Sequence, residues 1–384
     1  MRKALFTVVI VVLSVSVAFA SDARQAALGL GGKYVHDVND IIYFPALAIN
    51  YTNVCQVDLG FYSTPPSGQW ALFNVGLGDY LAVGGALRRE DGRAFDIAND
   101  MGYTPPNPGL NLWAAYDPGY IKFGLGFYHA GYKETEDDEN DTTEYVYSIS
   151  TMAFTGSGAM AIGDGSAELG FHLGMNGASD EFTYADGTTE TEESEGGTEI
   201  GVMARVFLPL WDLFELVPVV SYNSFNYTQV VNDTSLDEYA DMTIGVGCAA
   251  NFEVMDDGFI SAGFGFNTYS ESVDDSSGTA LYEDKTTTFP EITLCTEVPA
   301  TDWLKLRAGV TKQFATNTHD EGGEETTTKL GENDFVFLNI GAGVEVGNFT
   351  FDFTIDEGNI FQGPYIVSGI TDPFTLKASA TFDW

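Results

Sequence analysis

The sequence predicts an all-β fold, namely a closed antiparallel transmembrane β-barrel of about 14–16 strands. Three observations predict it. Apolar and polar residues alternate along many segments, the connections between these segments are alternately short and long, and the chain ends on an alternating segment whose last residue is aromatic. A preceding N-terminal segment lacks the alternation, and we expect it to plug the lumen.

The alternation has a period of two, which places successive side chains on opposite faces of a strand. It recurs in about sixteen segments between residue 54 and the C-terminus, although the first three are short enough that fourteen strands are equally defensible. In lipid, only a closed barrel satisfies every backbone group of a set of strands. The apolar face is therefore expected to meet lipid, and the polar face to line a lumen.

The connections strengthen this prediction. Tight turns such as 117–119 and 347–348 alternate with long polar stretches. In outer-membrane barrels the periplasmic turns are short and the external loops are long. The long stretches predicted as external loops include Glu90–Gly109, Lys133–Glu144, Asp180–Gly197 and His319–Asp334.

Several of these stretches are rich in Asp and Glu, which predicts an anionic external rim. Carboxylate oxygens suit Ca²⁺ or Mg²⁺, so loop-bound divalent cations are one expectation. No stretch has the spacing of a calcium-binding loop, so a solvated rim without specific sites is the alternative.

The N-terminus is typical of an exported protein. Arg2 and Lys3 precede an apolar run that ends in Ala18-Phe19-Ala20, so residues 1–20 are predicted to be a cleaved signal peptide. Residues 21–53 then form the plug-like segment and residues 54–384 the barrel. Together these features predict a location in a bacterial outer membrane, in contact with its lipid.

Composition excludes some functions. The chain has 16 Lys and Arg against 56 Asp and Glu, a net charge of −40. Nucleic-acid binding needs clustered basic residues, so no nucleic-acid partner is expected. The three cysteines and four histidines show no metal-ligand spacing, and no nucleophile accompanies a histidine. We therefore expect no resident cofactor and no enzyme activity.

The alternation also predicts which charged side chains face the lumen. In an open pore such charges would set ion preference, whereas in a plugged barrel they would form ion pairs. The candidates are Asp58, Lys122, Glu168, His172, Glu199, Arg205, Glu291, Lys305, Arg307, Glu345, Asp352 and Lys377.

The two ends of the chain resemble known families. The last strand, with Phe382 and Trp384 on its apolar face, is similar to the C-terminal strand of bacterial outer-membrane barrels. This resemblance implies that the barrel-assembly machinery recognises these residues as an assembly signal.

Residues 21–53 resemble the entry segment of FadL-type hydrophobic-compound transporters and related secretion-system barrels. The residues that carry this resemblance are Arg24, Gly29, Gly31, Asp37, Asp40 and Pro45. In those families the segment folds into the lumen as a plug. The resemblance implies transport of small, mainly hydrophobic solutes through a plugged barrel. A general porin and a structural or docking protein with acidic external loops are the alternatives, and the sequence does not name the solute.

Overall fold

The computed structural model describes residues 22–61, 67–87, 109–137, 144–184, 186–210, 214–232, 234–255, 258–275, 278–321, 324–330, 336–357 and 375–384. Four short helical elements come first: helix α1 (Asp22–Leu28), a 3-10 helix (Gly29–Tyr34), helix α2 (Asp40–Tyr43) and a second 3-10 helix (Pro45–Ile49). No helix in these ranges is long and apolar enough to cross a bilayer.

Strands make up most of the rest of the described chain. They are β1 Val54–Phe61, β2 Ser67–Gly76, β3 Leu81–Leu87, β4 Leu110–Tyr116, β5 Ile121–Asp137, β6 Glu144–Ile162, β7 Gly165–Thr183, β8 Thr189–Leu210, β9 Phe214–Val231, β10 Thr234–Met255, β11 Gly258–Asp275, β12 Ala280–Thr301, β13 Leu304–Glu321, β14 Glu324–Leu330, β15 Val336–Val346, β16 Phe349–Glu357 and β17 Thr375–Asp383.

Apart from β14 and β15, every strand pairs antiparallel with its neighbours in sequence, and β1 also pairs with β17, so the sheet closes on itself. Strands β14 and β15 both pair with β13, along its outer and inner parts respectively. These two strands share one position, so the barrel has sixteen strand positions. The predicted closed antiparallel barrel is confirmed, at the upper end of the expected strand number.

The C-terminal strand forms the closing seam. Its register places Asp383 opposite Val54, and the backbone N–H of Trp384 donates to the carbonyl of Asn53 at 3.1 Å. On the outer face, the ring of Phe382 stacks on those of Phe349 and Trp384, with centroid distances of 4.5 and 5.8 Å. The two residues predicted as the assembly signal therefore lie side by side on the outer face of the last strand.

The outer face carries a band of exposed apolar side chains. A large exposed apolar surface is unfavourable in water and marks contact with another phase. A continuous band around a closed barrel is the surface that such a barrel presents to lipid. Among its residues are Phe123, Leu125, Phe171, Phe264, Ile292, Leu294, Leu306 and Phe353.

The middle strands continue well beyond this band, on the side away from the short turns. We call these parts the external extension; it consists of residues 131–137, 144–150, 176–183, 189–198, 224–231, 234–243, 267–275, 280–288, 315–321 and 324–330. Its outer face is mostly polar or charged, as at Ser270, Ser272, Glu283 and Lys285, so it stands in water rather than lipid.

The prediction of loops at Asp180–Gly197 and His319–Asp334 is therefore wrong over most of their length. Thr183 pairs with Thr189, and the pairing of β7 with β8 continues down to the apolar band. Threonine and aromatic residues favour strands, and cross-strand pairs stabilise them even where the sequence is acidic. Lys133–Glu144 is likewise strand at its two ends, and Glu90–Gly109 lies outside the described residues except for Gly109.

The pairing of β7 with β8 limits where a proteinase can cut this stretch. Because Asp180–Gly197 is a paired hairpin, a proteinase added outside intact cells should cut it only between Thr183 and Thr189. Mass spectrometry of the released peptides measures the cut sites, and heat-denatured protein, cut throughout the stretch, is the control. Cuts spread along residues 190–197 of the folded protein would show that the hairpin does not form.

Candidate functional site

The N-terminal segment, residues 23–51, lies against the inner face of the barrel wall. It touches widely separated sectors of the wall, so it extends across the lumen. Hydrogen bonds to three of these sectors run from the backbone N–H of Ala23 to Ser379 Oγ (3.2 Å), from the backbone N–H of Ala46 to Ser157 Oγ (2.8 Å) and from Asn251 Nδ2 to the carbonyl of Tyr34 (2.8 Å).

Glycines in the wall make this close approach possible. We call five of them the seat glycines, because a Cβ at each position would collide with the segment. The closest distances from such a Cβ would be 2.0 Å to Ala46 N at Gly124, 2.5 Å to Tyr43 O at Gly170, 2.2 Å to Tyr34 Oη at Gly247, 2.5 Å to Leu28 O at Gly309 and 2.5 Å to Ala27 Cβ at Gly341. At Gly124, Gly170 and Gly309 the obstructing atoms belong to the backbone of the segment, so any other residue there would push the segment away from the wall.

A first cluster of buried charges joins the segment to β7 and β8. Arg205, which is 1% exposed, donates from Nη2 to Asp40 Oδ2 and from Nε to Glu168 Oε2, each at 2.5 Å. Its guanidinium lies 4.8 Å from the ring centroid of Phe44 and 5.1 Å from that of Phe207. A buried charge is stable only when it is paired, so Asp40 of the segment and Arg205 of the wall depend on each other.

His36 lies beside this cluster. Its ring stacks on Phe207 at 3.8 Å, and its Nδ1 is 3.5 Å from Glu168 Oε1. Desolvation and the positive charge of Arg205 both lower the pKa of His36 below its usual value.

A second cluster joins the start of the segment to β12, β13 and β16. Arg24 Nη1 is 2.8 Å from Asp37 Oδ2 and Arg24 Nε is 2.9 Å from Glu297 Oε2. Arg307 donates to both Glu297 and Asp352. Acidic and basic groups thus alternate along one chain of five side chains, which crosses from the segment into the wall.

The other predicted lumen residues also lie on the inner face, mostly in pairs. Four contacts are Lys33 with Glu291 (2.7 Å), Lys122 with Asn50, Lys305 with Glu345 (2.9 Å) and His172 with Glu199 (3.4 Å). Asp58 is buried opposite Ser379, and Lys377 is opposite Thr354. Most of these charges are thus part of ion pairs or hydrogen bonds, several of which include residues of the segment.

The remaining predicted plug residues have local roles. Gly29 has φ +58°, a left-handed conformation that favours glycine, and a Cβ there would lie 2.7 Å from Asn339 Nδ2. Gly31 lies within the first 3-10 helix, and Pro45 begins the second. Proline suits the first turn of a helix because no partner is needed for a backbone N–H there.

Sequence reasoning missed Glu297, Lys33 and His36. Glu297 lies six residues after Glu291 on the same strand, so the period of two places it on the same face. That signal was present in the sequence. Lys33 and His36 lie in the segment, where no period indicates what a side chain contacts.

No group of three or more His, Cys, Asp or Glu in the described part of the chain could hold a metal ion. Cys55, Cys248 and Cys295 are all free thiols. Divalent cations bound by the acidic external stretches remain a prediction.

No protein-family model and no curated protein matches this chain. Among solved structures it is similar to a Pseudomonas aeruginosa FadL homologue, with 12% identity, 96% of this chain and 99% of that chain covered, and a TM-score of 0.44. It is also similar to the Pseudomonas putida toluene transporter TodX, with 11% identity, 93% and 96% coverage, and a TM-score of 0.39. A third is the translocator domain of the autotransporter NalP from Neisseria meningitidis, with 13% identity, 76% and 94% coverage, and a TM-score of 0.31. Similarity at this level carries no information about solute or partner.

Proposed function

We propose that this protein is an outer-membrane transporter that admits small hydrophobic solutes through a barrel plugged by residues 23–51. The observation that carries the proposal is the fit between the segment and the wall. Five seat glycines and two buried ion clusters hold the segment across the lumen. A segment held in this way supports a selective passage rather than an open pore.

The same proposal includes export and assembly. Residues 1–20 serve as the cleaved signal peptide, and the barrel-assembly machinery recognises the strand that ends in Phe382 and Trp384. These roles are supported by the apolar run of the leader and by the closing position of β17.

A hydrophobic solute is favoured by the inner face of the external extension. There, large apolar side chains pack into one buried cluster on β6, β7 and β9, and partly buried tyrosines of β5, β6 and β10 surround it. The buried residues are Tyr147, Ile149, Ala178, Phe225 and Tyr227. Sites for small molecules are mostly apolar with a few polar groups, and the partly buried tyrosines Tyr132, Tyr145 and Tyr239 would contact a solute that enters from outside.

Two cavities between the segment and the wall support a route beside the plug. One, of about 330 Å³, is lined by residues that include Leu47, Lys122 and Phe207. The other, of about 550 Å³, includes Val35 and Phe259 in its lining. Both lie towards the short-turn end, and both have the size of a small-molecule site.

Conductance across a planar bilayer tests the proposal. The full mature chain should show no large steady conductance, because the segment fills the lumen. A variant that lacks residues 22–50 should conduct steadily, provided that a gel-mobility assay with and without heating shows a folded barrel. Proteoliposomes with the full chain should take up a small hydrophobic solute faster than empty liposomes.

Two outcomes would contradict the proposal. A large steady conductance of the full chain would indicate a general porin. The absence of both conductance and solute uptake, for the full chain and the shortened variant alike, would leave a structural or docking role.

A further inference from the structure

The inner face of the external extension contains a buried amide without a hydrogen-bond partner. Asn176 is 7% exposed, and neither its Nδ2 nor its Oδ1 forms a hydrogen bond with any described residue. Buried polar side-chain atoms almost always have a partner, and a buried polar atom without one lowers stability. An amide kept in this state is a candidate for binding a molecule that supplies the missing partner.

This amide lies within the buried apolar cluster of β6, β7 and β9. Ala178, the next inner-face residue of β7 towards the outside, is adjacent to Asn176 and opposite Ile149. In the neighbouring row on the membrane side, Glu199 of β8 is opposite Phe225 of β9. Ala178, Ile149 and Phe225 all belong to the cluster. The amide therefore lies between two rows of side chains that form the cluster.

A β-bulge holds the amide at this position. Asn176 is opposite Gly197 and Ser179 is opposite Glu193, so β8 has one residue more than β7 between these two pairs. Bulges redirect side chains and are common beside functional sites. A Cβ at Gly197 would lie 2.2 Å from the backbone carbonyl oxygen of Asn176, so β8 passes this close only because the residue is glycine.

The hydrogen-bonding groups of Asn176 select a ligand group that has both a donor and an acceptor. Nδ2 donates and Oδ1 accepts. A carboxamide fits both, because its carbonyl oxygen accepts from Nδ2 while its N–H donates to Oδ1. A ketone lacks the donor and an ammonium group lacks the acceptor, so each would leave one atom of the amide without a partner.

The charges near the amide disfavour an anion. Glu199 lies in the neighbouring row, and Asp180 lies two rows further out on the same strand. No Lys or Arg occupies the described inner face at this level, within residues 128–134, 147–155, 172–180, 192–201 and 221–229, since Lys133 belongs to the outer face. A carboxylate would therefore meet like charges without a basic side chain to bind it, and a neutral ligand is favoured.

The side chains around the cluster leave a way in. Tyr132, Tyr145 and Tyr239 pack against the cluster and are only partly buried. Side chains with exposed surface change rotamer within nanoseconds, so a solute can pass between them. Its apolar part would then contact the aromatic rings, and its polar group would reach Asn176.

We propose that this site binds a neutral solute that has an aromatic body and one carboxamide group. The body packs against Phe225, Tyr227 and their neighbours, and the carboxamide pairs with the side chain of Asn176. This inference rests on the proposed transport function, to which it adds the chemical class of the solute.

Calorimetric titration of the purified mature chain in detergent with benzamide tests the site, with detergent alone as the blank. Asn176→Leu keeps the approximate size of the side chain and removes both hydrogen-bonding groups, so it should weaken binding roughly tenfold. Asn176→Asp keeps the shape but removes the donor, and it should weaken binding as well. Asn226→Leu is the matched control, because Asn226 is exposed on the outer face of β9 at the same level, opposite Thr198. It should leave binding unchanged.

Two molecules of the same size separate hydrogen bonding from apolar packing. Benzoate carries a negative charge and acetophenone has no donor, so wild type should bind both more weakly than benzamide. The inference is overturned if wild type does not bind benzamide, if either of these molecules binds as tightly, or if Asn226→Leu weakens binding as much as Asn176→Leu does.

The site and the transport function can fail separately. Uptake of ethylbenzene into proteoliposomes without any binding of benzamide would contradict the site and leave hydrophobic transport in place. Binding of benzamide that depends on Asn176, without uptake of any solute, would support the site and contradict transport.

Discussion

Replacing Gly124 by alanine is expected to displace the N-terminal segment and to let the barrel conduct ions. The new Cβ would lie 2.0 Å from the backbone N of Ala46 and 2.2 Å from the backbone C of Pro45. Backbone atoms cannot move aside as the end of a flexible side chain can. Because overpacking a fitted contact costs about 1–3 kcal/mol or more, the segment should leave its position on β5. A steady current in planar bilayers is the expected readout.

Gly156→Ala on the adjacent strand β6 is the matched control. The nearest atom to its added Cβ would be Leu125 Cδ2, at 4.0 Å. Alanine is about 0.5–1 kcal/mol more favourable than glycine within a strand, so this variant should fold at least as well and remain closed. If Gly124→Ala also remains closed in a folded barrel, the segment does not depend on this contact, and the plugged arrangement is contradicted.

Arg205→Met is expected to have the largest effect on stability among single substitutions in the lumen. It would leave Asp40 and Glu168 buried without their partner. Removing one member of a buried ion pair costs about 3–5 kcal/mol, because the remaining charge loses its compensation. Denaturant unfolding of the purified chain in detergent, followed by tryptophan fluorescence, measures this difference.

Two comparisons test whether buried charges without a partner cause this loss of stability. Lys305→Met breaks a pair with Glu345 whose side chains are 23% and 38% exposed, and it should cost no more than about 1 kcal/mol. Combining Arg205→Met with Asp40→Asn and Glu168→Gln should recover much of the loss, since no buried charge then lacks a partner. If Arg205→Met and Lys305→Met lower the free energy of unfolding equally, the burial of the cluster contributes nothing to the stability of the barrel.

The parts of the fold that depend on local pattern could be predicted from the sequence. The period of two follows from strand geometry alone, so it identified the strands and assigned a face to residues such as Glu168, Arg205 and Asp352. The short turns could also be predicted, since they contain glycine, the residue that most easily adopts the positive φ of tight turns. Gly119, Gly163 and Gly347 have this conformation in the structure.

The rest depends on contacts between distant parts of the chain. The pairing of Arg24 with Glu297 joins residues 273 positions apart, and no local pattern encodes it. The role of Gly124 follows from where Ala46 lies, which the sequence of β5 does not contain. The external extension was missed because acidic, threonine-rich strands in water resemble loops when polarity alone is considered.

One cross-link tests whether the N-terminal segment lies inside the barrel. Ala46 and Ser157 are replaced by cysteine, since the backbone N of Ala46 is 2.8 Å from Ser157 Oγ. The three native cysteines, Cys55, Cys248 and Cys295, are replaced by alanine so that no other disulfide can form. Cells are treated with a mild oxidant, and disulfide-linked peptides from the purified barrel are measured by mass spectrometry.

We expect a disulfide between positions 46 and 157 in most of the folded protein. Pairing Ala46→Cys with Ser150→Cys, which lies exposed on the outer face of the same strand, should give none. A folded barrel that forms no 46–157 disulfide, or forms it no more often than the Ser150→Cys control, would contradict the claim that the segment occupies the lumen.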